Sequence, residues 1–206
     1  MNNLINQIKS LFSNPQKFFA NLKKESGIEK ALKYYALLSL IPAFFSFTFG
    51  RMWSSYYVDA LENFLGISVP LAKLSFGALF MTAILIYLFL LGLSFVWAGI
   101  LHLWIIIFDG KETYEKTYQL SVYSQTPRLL LGWVPVLGAL VWVYDLFLLI
   151  VGTEKVHGIP QKKALMMYLF PALFFFFLAL AGLIISFFFL TTISGELAQG
   201  LAADLI

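Results

Sequence analysis

The chain has 206 residues, 60% of them hydrophobic and only 12% charged, with a mean hydropathy of +0.83; a soluble domain carries about a quarter charged residues, so the solvent this sequence is built for is lipid. Its formal net charge of +3 comes without a basic run interleaved with aromatics, which argues against nucleic acid as a partner. Cysteine is absent, which removes disulfides, thiolate metal sites and cysteine nucleophiles together.

Residues 1–33 read as a cytoplasmic amphipathic segment. Leu4, Ile5, Ile8, Leu11 and Phe12 recur at helical spacing up to Asn14-Pro15, and Phe18, Phe19 and Leu22 follow opposite Lys17, Lys23 and Lys24. Such a stripe suits a helix lying in the lipid interface, or one packed on the protein's own loops, and the pattern leaves both open. No apolar core leading to a small-residue cleavage site marks a signal peptide here.

Span one covers 34–50 and bends at Pro42. The 51–73 segment is polar, and Ser68-Val69-Pro70 reads as a helix start. Span two lies within 74–107, where 34 residues at about 1.5 Å each make about 51 Å of helix against a hydrocarbon core of about 30 Å. One tilted helix that overshoots the bilayer fits better than two, and Asp109-Gly110 ends it. Span three, 115–133, carries Thr117, Gln119, Ser121, Ser124, Gln125, Thr126 and Arg128, so it must face other helices, line a wet cavity or only partly enter the membrane. A turn through Trp133–Gly138 leads to span four, 138–152. Span five, 164–190, carries a kink at Pro171 and is followed by a small-residue tail, 191–206. The expected fold is therefore an all-α membrane protein: a five-helix transmembrane bundle over 34–190 with an N-terminal amphipathic interfacial helix.

The charges fit five crossings. The N-terminal segment holds six lysines, the 109–116 link two and the 153–163 link three; the opposite side receives Arg51 and Lys73. Eleven against two is the asymmetry of a cytoplasmic N-terminus. The C-terminus then falls on the other face of a cell membrane.

If spans three and four form a hairpin turning near Val136-Leu137, Arg128 and Asp145 lie at equal depth, each about eight residues or 12 Å of helix from the turn. An ionised side chain there costs several kcal/mol unless paired or hydrated. A pair across the hairpin, with Tyr123 and Gln125 as polar neighbours, competes with separate snorkelling to headgroups. Pro127 removes a backbone hydrogen bond, freeing carbonyls that Ser124, Thr126 or water can satisfy.

No phosphate-binding glycine loop is present. The two histidines stand 55 residues apart, so no metal ligand set and no cofactor is expected. His102 reads as an interfacial histidine. Ser94, as a nucleophile, would find His102 about 12 Å along the same helix, too far for catalysis, so no enzyme is expected. Glu154, Lys155, His157 and Gly158 read as a solvated cytoplasmic turn. With Asp109, Gly110, Lys111 and the N-terminal lysines they would form one inner surface for a protein partner or anionic lipid headgroups.

Phe108-Asp109-Gly110-Lys111, Tyr123-Ser124-x-Thr126-Pro127, Leu131-Gly132-Trp133-Val134-Pro135-x-x-Gly138 and Val156-His157-Gly158-Ile159 together resemble the Yip domain, best over 105–165 and more loosely at Asn14-Pro15-Gln16-Lys17-Phe18-Phe19 and the final span. The chain is similar to the prokaryotic branch of that family. The resemblance implies five spans, a cytoplasmic N-terminus and a C-terminus on the opposite face. Eukaryotic members interact with Ypt/Rab GTPases in vesicle traffic; the Asp-Leu-Tyr-Gly-Pro signature they carry before the first span is missing here, which leaves GTPase binding by this chain an open question. Two functions are expected from these features. One is a scaffold, adaptor or bilayer-organising protein linked to membrane trafficking or homeostasis. The other is a small-molecule or ion transporter using the polar third span, for which a homo-oligomer would be needed to enclose a pore, since no inverted repeat is visible.

Overall fold

A computed structural model describes residues 2–45, 76–134 and 137–203, and they are helical with no strand among them. The end of span one, the 51–73 segment with Ser68-Val69-Pro70, the turn centre at 135–136 and the last three residues lie outside the described residues. The chain divides into two compact units, residues 1–164 and 165–206.

In the first unit, α1 (Asn2–Ser13) and α2 (Pro15–Leu22) are separated by a single residue. Asn14 caps α2, its side-chain oxygen accepting the Lys17 N–H at 2.9 Å, and Pro15 sits at the first helical position, where no N–H is needed. Leu11, Phe19 and Leu22 are buried, and the Phe12 ring stacks on Tyr144 with centroids 5.7 Å apart. Of the two readings of the N-terminal stripe, packing against the protein holds for Phe19 and Leu22, while Ile5 and Phe12 stay exposed.

Helix α3 runs over 29–45 with Pro42 inside it. Helix α4 (Phe76–Ile107) is one unbroken helix of 32 residues, as its hydropathy requires. Ser94, Ala98, Leu101 and Ile105 form its buried stripe, at the spacing of one helix face, and α5 packs on it. Leu85, Phe89, Val96, Ile100 and Leu103 on its other faces are exposed, as a lipid-facing helix demands. At its end the left-handed residue is Asp109 (φ +69°), while Gly110 allows close approach: its N–H meets the Ile105 carbonyl at 2.9 Å, where a side chain would collide with Ile105.

The stretch read as the third span is not one continuous helix. It is two helices, α5 (Tyr114–Ser124) and α6 (Thr126–Leu131), jointed at Gln125. Pro127 cannot donate to the Tyr123 carbonyl four residues back. The Thr126 hydroxyl donates to that carbonyl instead, at 2.7 Å. Every residue from Thr117 to Ser124 is buried, so α5 forms the centre of this unit. Helix α7 (Leu137–His157) packs on α2, α5 and α6. Gly152 makes that crossing possible, since a Cβ there would strike Leu120 of α5 and approach Phe19 of α2 to 3.0 Å.

The second unit is the bulk of α8 (Gln161–Ala203), helical through Pro171. Met167 and Tyr168 are buried, but from residue 173 to 189 its side chains are exposed all round, among them Phe174 to Phe177 and Phe187 to Phe189. The helix continues through the small-residue stretch after 190 to Ala203. Among the described residues, two segments, Ala83–Ile107 and Gln161–Phe189, are long and apolar enough to cross a membrane.

Candidate functional site

Glu115, Gln119 and Tyr123 fall four residues apart and therefore on one face of α5. That face holds the linker between α2 and α3. The Glu115 carboxylate accepts the Gly27 N–H at 2.6 Å, and the Gln119 amide donates to the Gly27 carbonyl at 2.8 Å. Gly27 is gripped on both backbone groups at φ +80°, a conformation that favours glycine. Beside them the Lys116 ammonium donates to the Leu22 carbonyl at 2.7 Å and also to the Glu25 carbonyl. The Leu22 carbonyl, which also accepts the Glu25 N–H at 3.0 Å, thus gains a cationic donor at the negative pole of α2.

One turn away Thr117 joins the two histidines. Its hydroxyl oxygen lies 2.8 Å from His102 Nδ1 and 3.2 Å from His157 Nε2. A hydroxyl donates only one proton, and the Thr113 carbonyl at 3.5 Å is a further acceptor for it, so at least one of the two imidazoles donates its N–H to the Thr117 oxygen. His157 is 2% exposed, and burial first, then the nearby His102 and Lys23, push its pKa down to about 4. The reading of His157 as part of a solvated surface is corrected: the end of α7 turns it inward onto Thr117, because the Thr117 hydroxyl offers a partner where bulk water does not reach.

The polar residues grouped around Arg128 separate into three places. Arg128 Nε lies 3.4 Å from Asp145 Oδ2 and its backbone N–H donates to Asp145 Oδ1 at 3.3 Å, so α6 and α7 share an ion pair. Gln125 turns back to Ser121, donating to its carbonyl at 3.0 Å and its hydroxyl at 3.1 Å. Tyr123 is packed edge-on between Phe18 and Tyr34, with centroids 5.1 and 4.9 Å away. Thr126 meets the Tyr34 hydroxyl at 2.9 Å, and Pro127 is buried at the joint.

Of the expected inner surface, Asp109, Lys111 and Gly158 are exposed, and Gly110 is half-buried. The Lys163 ammonium donates to Asp109 at 2.6 Å; that hydrogen bond, foremost, holds the carboxyl below its usual range. Glu154 and Lys155 pair with each other at 2.9 Å, and Lys23 reaches Glu112 at 3.7 Å. No group of three or more metal-ligating side chains converges among the described residues.

Sequence reading missed Glu115, Lys116 and Gln119 as a clamp, and Thr117 as the bridge between histidines. The spacing at 115, 119 and 123 marked a polar stripe. Nothing local named its partner, a linker some ninety residues earlier.

The family model for the Yip1 domain matches residues 9–193. Curated proteins and solved structures give no match. The matched stretch takes in every helix that builds the clamp, the histidine bridge and the Arg128–Asp145 pair, and on that match the chain belongs to the Yip1 domain family, a membrane protein of the Yip type.

Proposed function

We propose that this protein is a non-enzymatic, five-span scaffold or adaptor of the cell membrane, with its N-terminus cytoplasmic and its C-terminus on the opposite face. Its cytoplasmic docking face would be built from the α2–α3 linker, the corner at Asp109–Lys111 and the Gly158 turn. The observation that carries this reading is the inward use of the polar helix α5. Glu115, Lys116 and Gln119 hold the N-terminal helices in place instead of facing a solvent path. Two more of its polar side chains are likewise engaged inside the protein: Ser124 donates to the Ser121 carbonyl at 3.0 Å and Thr126 to that of Tyr123. That arrangement favours a structural third span over a conducting one. Ser94 donates to the Leu91 carbonyl at 2.6 Å and meets the Tyr118 hydroxyl, neither of them a base, which counts against hydrolytic chemistry. A protein partner, anionic headgroups or a second copy are the occupants this face suits, through exposed Lys17, Lys24 and Lys111.

Photo-crosslinkers placed at Lys111 and Gly158 in native membranes test the proposal, with Leu85 on the apolar face as control. A discrete protein adduct is expected from the first two positions and not from Leu85, and Lys111→Glu should remove it. Absence of any adduct, together with a solute flux in proteoliposomes that Arg128→Ala abolishes, would replace the scaffold by the transporter.

A further inference from the structure

An open groove of about 290 Å³ lies where α1 folds back beside α2 and the start of the linker. It is near the lower end of the range of about 300–1,000 Å³ that small-ligand sites occupy, and so suits a headgroup-sized molecule. Asn6, Gln7 and Ser10 line one side; Asn21, Phe18 and Glu25 line the other. The four neutral polar side chains each carry both a donor and an acceptor. None of the four makes a side-chain hydrogen bond among the described residues. Glu25 adds a carboxylate oxygen, Oε1, that is buried without a hydrogen bond; Lys30 reaches it only at an ion-pair distance of 3.8 Å. Phe18 gives an aromatic wall, fixed by edge-on contact with Tyr123 at 5.1 Å.

This combination selects against most ligand classes. An apolar molecule would desolvate four amide or hydroxyl groups and a carboxylate without replacing their hydrogen bonds to water. A bare anion would meet the Glu25 carboxylate. A bare ammonium would meet Lys30, and Lys116 on the Glu25 carbonyl. A polyol is matched. Adjacent hydroxyls, each donor and acceptor, pair with amides and a carboxylate, while the carbon-bound hydrogens between them rest on an aromatic ring. Lys24 and Lys30 are exposed beside Glu25, suited to a phosphate at the rim.

We infer that the groove between α1 and α2 binds a polyol phosphodiester, the chemistry of a glycerol- or inositol-type headgroup, through Asn21, Gln7 and Glu25. The site does not depend on the scaffold reading. Its source is either a lipid headgroup or the free polyol phosphodiester.

Native mass spectrometry of the purified full chain in detergent tests this. The probes are dihexanoyl phosphatidylglycerol, dihexanoyl phosphatidylserine of the same net charge, and deacylated glycerophosphoglycerol. Phosphatidylglycerol should bind at least about tenfold more tightly than phosphatidylserine, the worth of one or two hydrogen bonds. Asn21→Leu, and separately Gln7→Leu, should erase that preference while the thermal midpoint stays put, since neither side chain is buried. Binding of the deacylated compound as tight as the lipid would assign the site to a soluble ligand, and binding of the lipid alone would assign it to the membrane. Equal binding of the two lipids, or a preference lost in Lys24→Ala and Lys30→Ala but kept in Asn21→Leu and Gln7→Leu, would overturn the inference.

Discussion

Asp145 and Arg128 share one ion pair but not one environment: the carboxylate side chain is 11% exposed and the guanidinium 49%. Removing either partner therefore has unequal consequences. Arg128→Ala strands a carboxylate that cannot rehydrate, whereas Asp145→Ala releases a long side chain that can reach water or headgroups. We expect Arg128→Ala to cost about 1–3 kcal/mol and Asp145→Ala clearly less, read as thermal midpoints in detergent. A charge swap should recover only part of the loss, because the Arg128 backbone N–H also donates to the Asp145 carboxylate and a swapped arginine cannot accept it. Full recovery would mean that this backbone bond contributes nothing. His157 makes the second argument at this scale. Its pKa is down to about 4, against about 6.5 when unfolded, with His102 and Lys23 facing it and opposing its charge. Between those values the unfolded chain binds the proton and the folded chain does not, so stability falls as pH drops from about 6.5 toward 4, by at most about 3 kcal/mol. Above pH 7 both states are neutral and the effect vanishes. His157→Gln should flatten this dependence in melts taken across the same window; an unchanged acid slope would show that His157 does not cause it.

Among the elements, those written by local pattern were legible and those written by distant partners were not. Helix α4 followed from an unbroken apolar run, and the start of α2 from Asn14-Pro15, because hydropathy and capping act within a few residues. The joint at Gln125 was half legible. Pro127 signalled lost backbone hydrogen bonds, but which side chain would replace them depended on Thr126 turning back on its own chain. The clamp on Gly27 and the meeting of His102 with His157 were invisible, since each needs helices far apart in sequence to pack first. Gly152 belongs to the same class: as a mid-helix glycine it resembles Gly92, and only packing separates them. A Cβ at Gly152 meets Leu120 and Phe19, whereas one at Gly92 meets nothing within 4 Å. Gly152→Val should destabilise by about 1–3 kcal/mol through overpacking. Gly92→Ala should be neutral or stabilise by up to about 1 kcal/mol through helix propensity. Denaturation of the two variants side by side measures the difference. Equal effects would mean that α2, α5 and α7 do not cross at Gly152.

For the whole molecule, the proposed docking face stands on the parity of the crossings, and parity turns on the short jointed element between α4 and α7. From Tyr114 to Leu131 it comprises 18 residues, about 27 Å of helix, close to the hydrocarbon thickness of about 30 Å. Its polarity does not forbid a crossing, because Thr117 to Ser124 are buried and the hydrogen bonds of Thr117, Ser124 and the Gln119 amide N–H end on protein groups. A crossing here puts Lys155, Lys162 and Lys163 on the side of the N-terminal lysines; without it they move to the far side and the charge asymmetry shrinks. The chain has no cysteine, so single-cysteine variants report position without background. Lys24→Cys should be labelled by a membrane-impermeant maleimide only from the cytoplasmic side, and Asp204→Cys only from the opposite side. Labelling of both from one side would make the number of crossings even. The Asp109–Lys111 corner and the Gly158 turn would then lie on opposite faces of the membrane, and no single partner could dock on both.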